Sequence, residues 1–189
     1  MTTITILDTY LYTIINSLQQ ERTIAMFIKT LSACPPYGKQ LLTNYAFEQG
    51  LSGWTQSNTG LVKAAKLTFK GHSSALMGIK PSQTAYIQQK IALGSGCGLR
   101  LSVFLRRLTV RDNCVITLLT RFHNSRGQNI GLPVELKIPA PIIPTVYVPF
   151  FTEITMPKGA TRVSVSLIKS GWGIMLVDNI SLISVPPIA

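Results

Sequence analysis

Acidic side chains are scarce in this 189-residue chain: seven Asp and Glu stand against 18 Lys and Arg, with two His. Glycoside cleavage needs two carboxylates facing one another across a bond. None of Asp8, Glu21, Glu48, Asp112, Glu135, Glu153 and Asp178 forms a recognisable pair. His72 and His123 have no nucleophile signature nearby. The chain therefore reads as non-catalytic. Long apolar runs are missing too: no stretch of about eighteen apolar residues exists, which excludes a membrane-spanning helix. Cys34, Cys97 and Cys114 show no CxxC or Cys/His spacing, which argues against a zinc site. Either one pair bridges and leaves a thiol for a bond between subunits, or all three are small buried hydrophobes. The first fifteen residues lack a basic stretch and include Asp8, so a standard export signal is not read here, and that favours unbridged thiols. Leu31-Ser32-Ala33-Cys34 has the form of a lipoprotein cleavage box, but Lys29 interrupts the apolar run before it. The expectation is a protein that stays inside, or one that reaches a cell or spore surface by another route.

What is present is a core-forming composition with a strong positive charge. Apolar residues make up 46% and charged residues 13%, against about 25% charged in ordinary domains. That balance supports a packed core and argues against disorder. The formal charge of +11 attracts polyanions, whether nucleic acid, anionic lipid or acidic polysaccharide.

The grammar of the chain changes near residue 40. Residues 1–33 contain no Gly and no Pro, and Ile4, Leu7, Leu11, Ile14 and Leu18 follow a three-four spacing. This pattern predicts an amphipathic helical arm, although the alternating Thr3-Ile4-Thr5-Ile6 also suits a strand. Pro35-Pro36-Tyr37-Gly38 ends the segment in either case. Beyond it come short strands: Lys66–Phe69, Ala75–Ile79, Thr84–Leu93, Leu99–Arg106, Cys114–Phe122, Val146–Ile154, Val163–Leu167 and Ile174–Ile183. Gly and Pro punctuate the intervals, and strands at this spacing without intervening helices predict an all-β sandwich of jelly-roll type. The division is thus an arm, residues 1–40, and a β-domain, residues 41–189.

Several stretches of the β-domain resemble one family in order. Asn44-Tyr45-Ala46-Phe47-Glu48 followed by Gly50-Leu51-Ser52-Gly53-Trp54 resembles the opening of the carbohydrate-binding-module jelly rolls, the galactose-binding-domain-like superfamily. Gly71–Leu76, Ala85–Gln89 and Pro157–Thr161 are similar to its internal turns and strands, and Val177–Leu182 to its closing strand. The stand-alone modules of spore-forming Gram-positive bacteria are the nearest likeness. The resemblance implies a non-enzymatic glycan binder. It also implies a structural Ca²⁺ held by the carboxylates of Glu48 and Asp178 with backbone carbonyls, since Ca²⁺ takes six to eight oxygens. Tyr45 and Asn179 depart from the family pattern, and the alternative is that both carboxylates hydrogen-bond loop amides. Trp54 sits where the family buries a packing Trp, whereas Trp172, between two glycines, is the candidate for stacking on a sugar.

The leucines of Leu99–Leu105 claim the core, so Arg100, Phe104 and Arg106 share the opposite face of one strand. Arg121 falls on the expected neighbouring strand. A basic face with an aromatic suits an acidic glycan, because guanidinium forks take carboxylates bidentately while rings stack. The bland alternative is a solvated face, or one covered by the N-terminal segment or a second subunit. Single-stranded nucleic-acid binders use similar faces, but no motif of that class is present. The arm either folds over its own subunit or self-associates as a coiled coil or by donor-strand pairing, in which case Cys34 at its base is placed to bridge subunits. The sequence therefore supports a self-associating glycan-binding surface module, with a purely structural filament or layer subunit as the alternative.

Overall fold

The computed structural model describes residues 34–57, 60–109 and 113–187. The arm residues Ile4, Leu7, Leu11, Ile14 and Leu18 lie outside the described residues. Chain order gives ten strands among those described: β1 (Thr55–Gln56), β2 (Val62–Ala65), β3 (Ser74–Met77), β4 (Ala85–Ala92), β5 (Gly98–Arg107), β6 (Val115–His123), β7 (Asn129–Pro139), β8 (Val148–Thr155), β9 (Arg162–Ser170) and β10 (Met175–Val185). They form two five-stranded sheets. Sheet I has the order β2-β3-β10-β5-β8 and sheet II the order β1-β4-β9-β6-β7, with every pairing antiparallel.

Period two decides what lies between the sheets. Leu99, Leu101, Val103 and Leu105 of β5 are fully buried, as are Val177 and Leu182 of β10. Sheet II answers with Ile87, Ile116, Leu118, Val163, Val165 and Leu167, all at 1% exposure or less. Each such side chain contributes about 2 kcal/mol by leaving water. The alternate residues face outward. Phe47 and Trp54 pack with ring centroids 5.5 Å apart, and the Trp54 indole donates to the Asn44 carbonyl at 3.1 Å, so Trp54 is a core residue as its position in the sequence implied. Lys169 occupies an inward position of β9 without any exposure. Its ammonium donates to the carbonyls of Pro81 and Gln83, which staples the β3–β4 connection to the sandwich.

Three elements differ from the sequence expectation. Lys66–Phe69 is not a strand, because the strand runs earlier, over Val62–Ala65, and Leu67 and Phe69 belong to a loop that folds over sheet I. Asn129–Pro139 is a long strand that Gly131 and Pro133 concealed. It lies at the edge of sheet II, where a missing N–H removes no ladder bond. The third difference is at the start of the β-domain. Gly38 and Leu41 donate to the carbonyls of Ser184 and Leu182, so residues before 41 already run along β10.

Cys34 is bridged to Cys97 within the chain, with Cα atoms 5.4 Å apart. The expectation of unbridged thiols is corrected, and Cys34 is not placed to link subunits. Cys114 is buried. The bridge closes a loop with a sequence separation of 63, which restricts the unfolded chain by about 4 kcal/mol in the loop-entropy treatment. Reduction, or Cys97→Ser, should lower the unfolding free energy by about 2–4 kcal/mol in urea titrations. Coincident curves with and without reductant would show that the bridge does not form.

Candidate functional site

The face expected to bind ligand is covered over part of its length. Arg100, Phe104 and Arg106 do share the outward row of β5, but β5 pairs with β10 and β8. Arg121 lies on β6, which pairs with β7 and β9 in the other sheet. The assumption that successive strands are neighbours fails at this crossover, so Arg121 is not part of that face. The loop between β2 and β3 then lies over it: the Phe69 ring stacks on Phe104 at 3.9 Å and meets Tyr147 edge-on at 6.1 Å. Arg106 sits 6.0 Å from the Tyr147 ring, and the Tyr147 hydroxyl donates to the Leu67 carbonyl at 2.6 Å. Arg100 is paired with Glu153, Nε to Oε1 at 3.0 Å. Among the described residues, the cover is the loop between β2 and β3.

Two carboxylates hold that loop down. Asp178 is fully buried. Its Oδ2 accepts from the amides of Phe69 and Lys70 at 2.8 and 3.3 Å, and its Oδ1 from Asn179 at 2.7 Å. Glu48 accepts from the amides of His72 (2.9 and 3.0 Å) and Ser73 (3.3 Å). Gly71 makes this approach possible, because a Cβ there would stand 2.2 Å from Glu48 Oε1. Amide hydrogens thus point at the oxygens from both sides. These amide bonds are the alternative to the Ca²⁺ that the resemblance implies, since Ca²⁺ would draw on the same oxygens. The two residues act here as a carboxylate–amide clip.

The outward face of sheet II has a different construction. Register places Tyr86, Gln88 and Lys90 of β4 beside Ile168, Ser166 and Ser164 of β9, and these beside Thr117, Leu119 and Arg121 of β6. Glu135 and Lys137 of β7 follow across Leu119 and Thr117. Leu119, Ser164 and Ser166 are only 3%, 2% and 4% exposed, while Tyr86 is 39% exposed and Lys90, Arg121 and Arg162 are open to solvent. Short side chains therefore floor a trough whose walls are longer ones. Its polar groups are preset: Gln88 donates to Ser166 Oγ at 2.8 Å, and His123 Nε2 lies 2.9 Å from Ser164 Oγ. At the β4 edge an open pocket of about 530 Å³ continues the trough past Thr55, Gln88 and Lys90 toward Leu41 and Thr43. Trp172 is 46% exposed in the β9–β10 turn. Its backbone N–H donates to Asn113 Oδ1, and the turn follows Ser170 at the end of sheet II that carries Tyr86 and Ile168.

Sequence reasoning missed Tyr86, Gln88, Lys90, His123 and Arg162. A signal existed in Tyr86-Ile87-Gln88-Gln89-Lys90, where apolar and polar residues alternate, but it does not say which of two sheets the strand joins.

No protein-family model and no curated protein matches the chain. Solved structures do match its fold. The enzymatically active domain of tailspike protein 4 from bacteriophage CBA120 superposes with a TM-score of 0.65 at 16% identity, covering 77% of this chain and 21% of the tailspike chain. The chain thus spans about a fifth of that protein. A family 61 carbohydrate-binding module, determined with β-1,4-galactotriose, gives 0.61 at 18% identity over 78% of this chain and 100% of its own. The xylan-binding CBM22-1 domain from Paenibacillus barcinonensis gives 0.56 at 10% over 83% and 99%. This chain has the jelly-roll fold of carbohydrate-binding modules. Among the described residues no helix is long and apolar enough to cross a membrane.

Burial pushes the Asp178 carboxyl above its ordinary value of 3.8, with Glu48 adding repulsion and the three amide bonds opposing the shift. The folded state therefore holds this proton more tightly than the unfolded state. The group's stabilising contribution is full below the ordinary value and is lost as pH rises through the folded one. Urea titrations between about pH 3 and pH 7 should show wild type losing stability relative to Asp178→Asn as pH rises, and a widening advantage for wild type would reverse the sign. Removing divalent cations with a chelator, or adding millimolar Ca²⁺, should leave the melting temperature unchanged. A Ca²⁺-dependent rise of several degrees would show that the amides yield to an ion.

Proposed function

We propose that this chain is a non-catalytic carbohydrate-binding module that holds an acidic glycan across the outer face of sheet II. The observation that carries the reading is the trough itself: a floor of Leu119, Ser164 and Ser166 beneath the Tyr86 ring and the cations Lys90, Arg121, Arg162 and Lys137. A sugar ring offers an apolar C–H face to an aromatic ring, hydroxyls to preset Gln and Ser groups, and, in an acidic glycan, carboxylates to guanidinium forks. The one carboxylate on this face, Glu135, is paired with Lys137 at 3.5 Å. The positive balance agrees with the charge of the whole chain.

Non-catalytic action is supported by where the described carboxylates go. Glu48 and Asp178 are committed to amides, Glu153 to Arg100 and Glu135 to Lys137. None of these arrangements sets two acids across a shared space, as glycosidic cleavage requires. A location outside the reducing cytosol is part of this reading, and its support is the Cys34–Cys97 bridge. Self-association through the apolar stripe Ile4, Leu7, Leu11, Ile14 and Leu18 is also part of it, supported by sequence spacing alone.

Affinity electrophoresis through gels containing polygalacturonate tests the site. Tyr86→Ala keeps the charge unchanged and should weaken retention about tenfold, the effect of roughly 1.4 kcal/mol. Arg121→Ala with Lys90→Ala should do the same and flatten the dependence on salt. Unchanged retention in both variants, with loss in Arg100→Ala or Arg106→Ala, would return the site to sheet I.

A further inference from the structure

The loop that closes sheet I covers only half of it. Beyond Asp178 the outward row of β10 continues through Ser181 and Ile183, which register beside Ser102 and Arg100 of β5. Over this open half lies a pocket of about 430 Å³, walled by Tyr45, Glu48, Lys70 and Asn179 and floored by Ser181 and Ile183. The volume falls within the ~300–1,000 Å³ of small-molecule sites. We propose that this pocket is a second carbohydrate subsite, one that takes a neutral sugar ring. The proposal rests on the reading of the chain as a carbohydrate-binding module.

The chemistry of the walls selects the ligand. Tyr45 is 40% exposed and offers a ring face against which the C–H face of a sugar packs. Asn179 stands at the bulge of β10 with φ +49°; its backbone N–H goes to Asp178, while its side-chain amide has no hydrogen-bond partner among the described residues. One amide that both donates and accepts suits a pair of vicinal hydroxyls. Ser181 Oγ accepts from Gln40 at 2.9 Å, which leaves its proton to donate. Glu48 keeps lone pairs beyond those its amide partners use, and Lys70 adds one donor at the rim. With one cation and one anion, the pocket lacks the positive surplus of the sheet II trough. An acidic ring would meet Glu48 with no net charge in return, whereas hydroxyls satisfy every group present.

The backbone makes a clean test available. Asn179→Gly removes the amide while glycine adopts φ +49° without strain, and Tyr45→Ala removes only a half-exposed ring. Amide chemical shifts of the full chain would be followed during titration with galactotriose, cellotriose and xylotriose, and separately with trigalacturonate. The expected result is that at least one neutral trisaccharide shifts Ala46, Gly71, Asn179 and Ser181. Each variant should weaken that binding about tenfold, while Tyr86→Ala leaves it intact. Neutral probes that shift only β4, β6 and β9 amides, or no amides at all, overturn the second subsite. The trigalacturonate titration judges the sheet II trough by itself, so failure of one site is distinguishable from failure of the other.

Discussion

Burying a carboxylate costs several kcal/mol unless its oxygens are hydrogen-bonded, and Asp178 sits fully buried on the outward row of a central strand. The amides of Phe69, Lys70 and Asn179 meet that requirement. Bringing the first two there draws the β2–β3 loop across sheet I, which seats Phe69 on Phe104 and Leu67 beneath the Tyr147 hydroxyl. Glu48 repeats the device from the other end of the domain, and Gly71 is the residue that lets it close. One buried carboxyl, held by three amides, therefore fixes the loop, and the loop covers part of the sheet I face.

The architecture was legible in the sequence because its signals are local. Leu99 to Leu105 alternate, Gly and Pro mark the turns, and the motif from Asn44 to Trp54 turned out to hold the packing pair Phe47–Trp54. The candidate site was not legible in the same way. Arg100, Phe104 and Arg106 were correctly placed on one outward row, since period two requires it. Whether that row is open depends on a contact between residues 69 and 104, and no periodicity encodes it. Arg121 was misassigned for a topological reason: β5 and β6 are consecutive in sequence but belong to different sheets. Lys66–Phe69 has the apolar spacing of a strand, yet Phe69 uses its ring on Phe104 of a sheet face and not in the core, and Leu67 is 51% exposed.

The two outward faces divide the polar chemistry of the domain. Sheet II gathers cations around small side chains, with a ring at one wall, and this is where the excess charge of the chain finds a structural use. Sheet I pairs Arg100 with Glu153 and ties both clip carboxylates to amides. Its open half is left with a ring, an amide and a hydroxyl. Electrostatic attraction is long-ranged and falls with salt, whereas hydrogen bonds to hydroxyls act at contact. On the proposed reading, a mixed polysaccharide is drawn first to sheet II and meets the sheet I pocket at contact range.

That division also bears on how the domain tolerates its scarcity of acids. Four carboxylates are available among the described residues, and each sits within hydrogen-bonding or ion-pair distance of a donor. None of these four is idle in the fold. The Cys34–Cys97 bridge works on the same terminal region, holding the start of the domain beside the strand that carries Asp178. Loss of either restraint loosens the same corner, where Gln40, Tyr45 and Glu48 meet β10. Mutations at the clip should therefore perturb the sheet I pocket before they perturb the sheet II trough, whose floor residues Leu119, Ser164 and Ser166 lie on β6 and β9.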